Sequence, residues 1–248
     1  MYDIIILTTA IIRPSIHVKS FQSLKRFINT KIKILWIINI DFVNIYHKKI
    51  NDSELTNQII NRSINNTKIT ILKLFSKYAN IKFLFLYNKN GNFNLAVRNI
   101  INECKKHITN VKYGILYLED DWILQKTENN IQYYLQRLDT VIGYKFSFGT
   151  LKENGISFSP ALWNKEYFEN ITIAAFNNNN NLDKDPESIV IEYYKNNFKH
   201  DPKKMVCLYN ELIAFDIGRN WIKKTGFIKW NRKAKNNECI QYKYLALL

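Results

Sequence analysis

The sequence predicts an α/β protein with an open, mostly parallel sheet covered by helices. Three observations carry this. Ile-rich apolar runs of strand length alternate with stretches of helical periodicity through the first half of the chain. The strand-like runs end in short clusters of polar residues. The chain has 248 residues, 46% of them hydrophobic, enough to bury a core without covalent staples.

The elements follow in order. Residues 3–9 form a continuous apolar run and read as a central strand. Pro14 is well placed near a helix start, and Ile16, Val18, Phe21, Leu24, Phe27 and Ile28 recur at helical spacing. Residues 33–40 are a second strand, ending in Asn39 and Asp41. The polar stretch 43–66 fits neither period, and 69–78 reads as a helix. Residues 81–87 are a third strand, stopped by Asn88, Asn90 and Gly91. A helix over 93–107 puts Leu95, Ala96, Ile100 and Cys104 on one side, and a fourth strand, 113–118, runs into Glu119, Asp120 and Asp121.

The second half is α+β. It is expected to hold a helix at 127–139, short strands at 144–150 and 155–159, and a short helix at 163–168. A loop follows through the Asn run 177–181 to Pro186, then a helix over 187–196. Asp216, Gly218, Arg219 and Trp221 form a closing segment read as structural. No linker or internal repeat divides the chain, so 1–248 reads as one domain with halves at 1–125 and 126–248.

In an open parallel sheet, ligands bind beyond the carboxyl ends of the strands. Thr8, Thr9, Asn39, Asp41, Asn90, Glu119, Asp120 and Asp121 would converge there. Three consecutive carboxylates repel one another, and a hard divalent cation shared with diphosphate oxygens relieves that repulsion. A solvated acidic turn is the plainer alternative. The apolar strand before the triplet and Trp122 after it favour a site.

Composition excludes other classes. Three dispersed cysteines, Cys104, Cys207 and Cys239, rule out a disulfide scaffold and a Cys-rich zinc module. The four histidines form no His-x-x-x-His pair. No stretch of about 18 apolar residues spans a membrane, and the first residues lack a basic leader. A cytoplasmic protein with reduced thiols is expected. The net charge of +15 points to an anionic partner, such as nucleic acid, a membrane surface or a phosphorylated substrate. Codon bias toward Ile, Asn and Lys accounts for part of it.

The segment Leu118-Glu-Asp-Asp-Trp122 resembles the Asp-x-Asp-type motif of GT-A fold glycosyltransferases, with Glu119 in place of the first Asp. Thr8-Thr9-Ala10 with Arg13-Pro14, Asn90-Gly91 followed by Ala96, Arg98 and Asn99, and Phe158-Ser159-Pro160 match that family in order and spacing. The resemblance spans about residues 1–230 and implies a Rossmann-like three-layer sandwich. It implies a nucleotide-sugar-binding half, 1–125, and an acceptor-side half, 126–248.

It further implies a metal-dependent transfer from a nucleotide-diphosphate sugar, UDP-sugar foremost, to a glycan, protein or lipid-linked hydroxyl, with inversion. Thr8, Thr9, Ala10 and Asp41 would line the base and ribose. Arg13 and Arg98 would pair with phosphate or fix a loop, and Asn90, Gly91 and Ala96 would shape the pocket. Asp121 would hold Mn²⁺ or Mg²⁺, with Glu119 and His200 as further ligand candidates. Glu119 or Asp120 would contact ribose or sugar hydroxyls. Glu187, then Asp185, are the candidate catalytic bases; helix capping is the alternative role of Asp185.

Two other classes compete. A basic nucleic-acid-binding module would gather its Lys and Arg on one face, whereas here they are dispersed and no nucleic-acid motif is present, so no specific nucleic acid is expected. A sugar nucleotidyltransferase would carry a Gly-rich loop after the first strand, and residues 8–14 contain no glycine. Part of the positive charge is expected to meet an anionic membrane peripherally.

Overall fold

The computed structural model describes residues 1–11, 14–28, 31–41, 57–88, 92–125, 129–146, 155–208 and 214–217. Four parallel strands form its first half: β1 (Tyr2–Ile11), β2 (Ile34–Asp41), β3 (Ile81–Asn88) and β4 (Val111–Tyr117). Helices α1 (Pro14–Phe27), α2 (Asn57–Leu74) and α3 (Phe93–His107) connect them in turn. β5 (Trp122–Leu124) and helix α4 (Ile131–Leu135) follow, then β6 (Gly143–Lys145) and β7 (Ala161–Asn164). The chain continues through α5 (Lys165–Tyr167), a π-turn at Phe168–Ile173 and α6 (Ala174–Asn178). It then forms α7 (Pro186–Asn197), β8 (Met205–Cys207) and β9 (Ala214–Asp216).

The seven-stranded sheet has the order β3-β2-β1-β4-β7-β6-β8, and β5 pairs with β9 apart from it. Every residue of β2 is buried, as an Ile-rich run between two neighbours requires. Alternate residues face opposite sides. Ile4, Ile6, Leu116 and Leu118 pack with Phe21 and Leu24 of α1 and with Ile71 of α2. Ile5, Leu7, Ile115 and Tyr117 pack with Val97 and Ile100 of α3 and with Val190 of α7. Helices therefore cover both faces, and the α/β three-layer expectation holds.

The order of the first four strands has a mechanical consequence. The chain moves outward from β1 to β3 and then returns to the other side of β1. Right-handed crossovers then put α1 and α2 on one face and α3 on the other. The direction reverses between β1 and β4, and ligands of open α/β sheets bind beyond the carboxyl ends of the strands at such a switch point.

Several boundaries differ from expectation. β1 runs past Thr9 to Ile11, so Thr8, Thr9 and Ala10 lie within the strand. α2 begins at Asn57, inside the stretch that fits neither period, because its buried face is formed by Ile64, Thr67 and Ile71. Of the expected helix 127–139, the described residues form α4, capped by the Asn130 side chain, and a 3₁₀ turn at Leu138–Thr140; of the expected strand 144–150 they include β6, while 147–150 lie outside them. Residues 155–159 form no strand. A cis Ser159–Pro160 bond leads instead into β7, which occupies part of the expected helix 163–168. α5 falls within that expected helix, and its continuation through the π-turn into α6 was not expected; Phe168, Ile171 and Phe176 bury it.

Candidate active site at the carboxyl ends of β1 and β4

The acidic triplet continues the line of β4. The Leu118 N–H donates to the Leu7 carbonyl (3.0 Å), and the Asp120 N–H to the Thr9 carbonyl (3.1 Å). The backbone therefore follows β1 as far as Asp120 and then turns: Asp120 and Asp121 are the central residues of a turn in which the Trp122 N–H donates to the Glu119 carbonyl (3.4 Å). Asp120 turns toward α1. Its Oδ2 accepts from His17 Nε2 (2.8 Å) and from the Ile11 N–H (3.2 Å). Asp120 is only 1% exposed.

Glu119 and Asp121 act on the opposite side, at Tyr117. That phenol is fully buried and stacks on Phe158, ring centroids 4.3 Å apart. Burial raises its pKa most, and the charge of Glu119 raises it next. Thr9 lowers it, while Asp121 and Asp185 add to the rise, which leaves the hydroxyl well above its ordinary value of 10. One hydroxyl thus senses Glu119, Asp121 and Asp185 together, so Asp185, from the second half of the chain, reaches the rim of β4.

Asp185 is placed by its own helix. It is the N-cap of α7, its Oδ2 accepting from the Ser188 N–H (3.2 Å) and hydroxyl (3.1 Å). Pro186 follows at the first helical position. The preceding loop is tied to α3. Arg98 donates to the carbonyls of Asn179 (2.6 Å) and Asn181 (3.1 Å) and lies over the Phe176 ring. Asn94 donates to the Lys184 carbonyl (3.3 Å) and to that of Leu182. Arg98 therefore fixes the Asn-rich loop, the second of its two expected roles. Its pKa is lowered by burial. Glu187 sits half-buried in the first turn of α7.

Beyond β2 and β3 lies an amide-rich rim. Asn99 of α3 donates to Asn88 Oδ1 (2.7 Å) and Asn39 Oδ1 (3.3 Å), bridging two strand ends. Asp41 pairs with Asn88 in register. Burial pushes its carboxyl up to about 6, against the lowering effect of the Asn92 N–H and the Asn88 side chain. Its Oδ1 has no hydrogen-bond partner among the described residues. Ala96 is buried on the sheet side of α3.

Some expected site residues are not brought to these strand ends. The Thr8 hydroxyl accepts from the buried Trp36 indole N–H (2.9 Å), because that donor needs an acceptor under α1. Thr8 is thus a core residue. Asp120 is directed to His17 rather than outward toward sugar hydroxyls. His200 is exposed at the opposite edge of the sheet. β7 runs from Ala161, beside Tyr117, down to Asn164, beside Gly114 at the amino end of β4. Tyr167 follows there and donates to Asp201, the neighbour of His200 (2.9 Å). Arg13, Asn90 and Gly91 lie outside the described residues, as do Arg219 and Trp221. Trp163 is core.

Other residues of the site were not expected. Ser20 Oγ donates to the Trp122 carbonyl (2.6 Å), and the Leu124 N–H donates to Ser23 Oγ (2.8 Å). With His17 they form a polar seam at helical spacing of three on α1. Asp216 of β9 pairs with Trp122, and the Ile217 N–H donates to the Asp121 carbonyl (2.9 Å). Cys104 is buried in α3 with its thiol pushed up by burial, so it is packing rather than a nucleophile.

No family model and no curated protein matches the chain. Solved structures do. A crystal structure of S. aureus TarS aligns with a TM-score of 0.52 at 8% identity, over 86% of this chain and 36% of that one. A structure of S. aureus TarS 1-349 aligns at 0.51 and 8% identity, over 86% and 60%. One of TarS 1-349 in complex with UDP aligns at 0.49 and 7%, over 86% and 59%. The fold is GT-A-like. The chain spans between about a third and three fifths of the length of these structures. Among the described residues no helix is long and apolar enough to cross a membrane, and no group of three or more His, Cys, Asp and Glu could by itself hold a metal ion.

Proposed function

We propose that the chain is a glycosyltransferase that moves a sugar from a nucleotide-diphosphate sugar, with UDP-sugars foremost, to a glycan, protein or lipid-linked hydroxyl. The observation that carries this is the gathering of carboxylates at the carboxyl ends of β1 and β4, where the charges of Glu119, Asp121 and Asp185 all raise the pKa of the Tyr117 hydroxyl. The position is where open α/β sheets bind ligands. The GT-A-like fold agrees, since TarS is a glycosyltransferase.

On this reading Thr9 and the amide rim of Asn39, Asp41, Asn88 and Asn99 face the base and ribose. Hard carboxylate oxygens without a complete protein cage suit Mn²⁺ or Mg²⁺ shared with a diphosphate, and Asp121 with Glu119 would hold it. Such an ion stabilises negative charge on the leaving diphosphate. The protein supplies the rest. The acceptor hydroxyl enters from the α7 side, and a carboxylate there takes its proton as the oxygen attacks the anomeric carbon, inverting it. What supports Asp185 over Glu187 is its action on the same hydroxyl as Glu119 and Asp121. Peripheral contact with an anionic membrane remains consistent with the charge of +15.

A thermal-shift panel of nucleotide-diphosphate sugars with and without Mn²⁺ tests the reading. A donor at a hundred times its Kd adds about 2.7 kcal/mol, or about 5–10 °C for a chain of this size. The expected result is a shift confined to one nucleotide and enlarged by the ion. No shift with any donor at millimolar concentration counts against it.

A further inference from the structure

Phe21 and Leu24 pack α1 on the sheet, whereas the polar seam faces the segment after β4. The seam's three members all grip residues 120–124: His17 the Asp120 side chain, Ser20 the Trp122 carbonyl and Ser23 the Leu124 N–H. An ionised carboxylate only accepts, so His17 Nε2 carries the proton. His17 Nδ1 has no hydrogen-bond partner among the described residues. The His17 ring is 0% exposed and packs 5.5 Å from Phe21, which fixes its orientation.

The chemical consequence lies in the turn itself. Asp120 and Asp121 are the central residues of the turn closed by the Trp122 N–H on the Glu119 carbonyl, so anchoring Asp120 to α1 anchors the turn that carries Glu119 and Asp121. Without an inward partner, Asp120 would compete with Glu119 and Asp121 for the same side, and three like charges would crowd there. We propose that His17 is a positioning residue for the sugar-donor site: it holds Asp120 inward and so presents Glu119 and Asp121 to a nucleotide diphosphate and its cation. The proposal rests on the glycosyltransferase reading and adds to it a residue that touches neither donor nor acceptor.

The test uses the full chain. A Gln amide nitrogen occupies the place of imidazole Nε2, whereas an Asn amide falls short of Asp120. His17→Gln is expected to bind the donor identified for the wild type within about threefold of it. His17→Asn is expected to lose at least tenfold, with Mn²⁺ affinity falling in parallel in the presence of the nucleoside diphosphate. In a double-mutant cycle, His17→Asn added to Asp120→Ala is expected to cost no more than Asp120→Ala alone. Equal binding by His17→Asn and wild type overturns the proposal, as does Gln binding as weakly as Asn. Should these buried variants not fold, imidazole ¹⁵N NMR of the wild type decides. A slowly exchanging Nε2–H on His17 is expected, and an Nδ1–H tautomer or a fast-exchanging ring overturns it. A wild type that binds no nucleotide sugar refutes the enzymatic reading, a result distinct from all of these.

Discussion

Asp41 is an expensive residue to keep at the end of a buried strand. Its carboxyl is raised from the ordinary 3.8 to about 6, chiefly by burial. The unfolded chain releases this proton near 3.8, the folded chain near 6. The favourable contribution of the protonated group is therefore fully present below about pH 4 and lost as pH rises through 6. At about 1.4 kcal/mol per pKa unit, the ionised form costs the folded state about 3 kcal/mol at pH 8. Asp41→Asn removes the charge and keeps the shape. It should raise stability by about 3 kcal/mol at pH 8, or about 6–12 °C in Tm, and by almost nothing at pH 4. Urea unfolding of both proteins at the two pH values measures this. A gain equal at both pH values, or no gain at pH 8, refutes the reasoning. If the charge is retained for the nucleotide, the stabilised variant should also bind donor more weakly.

Three further outcomes follow from the geometry. Gly114→Ala would put a Cβ 2.2 Å from the Trp163 carbonyl oxygen and 2.5 Å from Leu138 Cδ2, so it should cost about 3 kcal/mol in urea unfolding. Arg98→Ala should speed hydrogen exchange in residues 179–184 while donor affinity stays within twofold; a tenfold loss of affinity would mean that Arg98 meets phosphate. Asn caps a helix as well as Asp does, so Asp185→Asn should fold normally and bind donor. It should nonetheless lose about 10²–10⁴ in transfer rate, and a rate near wild type, with Glu187→Gln inactive, would move the base to Glu187.

The parallel half was legible because its signals are local and redundant. The runs of β2 and β3 and the periodicity of α3 each state their element within a few residues. The second half resisted for physical reasons. β6 and β8 have three residues each, too few for a period, and β7 is made a strand by pairing with β4 rather than by its own propensity. Within the site, the turn after β4 held the missing information. Asp120 differs from its neighbours only in facing α1, and that becomes visible once His17 is seen to meet it. His17, Ser20 and Ser23 at spacing three on an otherwise apolar helix face were the available sign. Thr8 was misread for the converse reason: its partner, Trp36, lies on another strand.

The most direct test of the central claim is calorimetric titration of the wild type and Asp121→Asn with nucleotide-diphosphate sugars in Mn²⁺. The account predicts saturable, ion-dependent binding of one donor by the wild type. In the variant it predicts a loss of at least tenfold together with the ion dependence. Undiminished, ion-dependent donor binding by Asp121→Asn would contradict it.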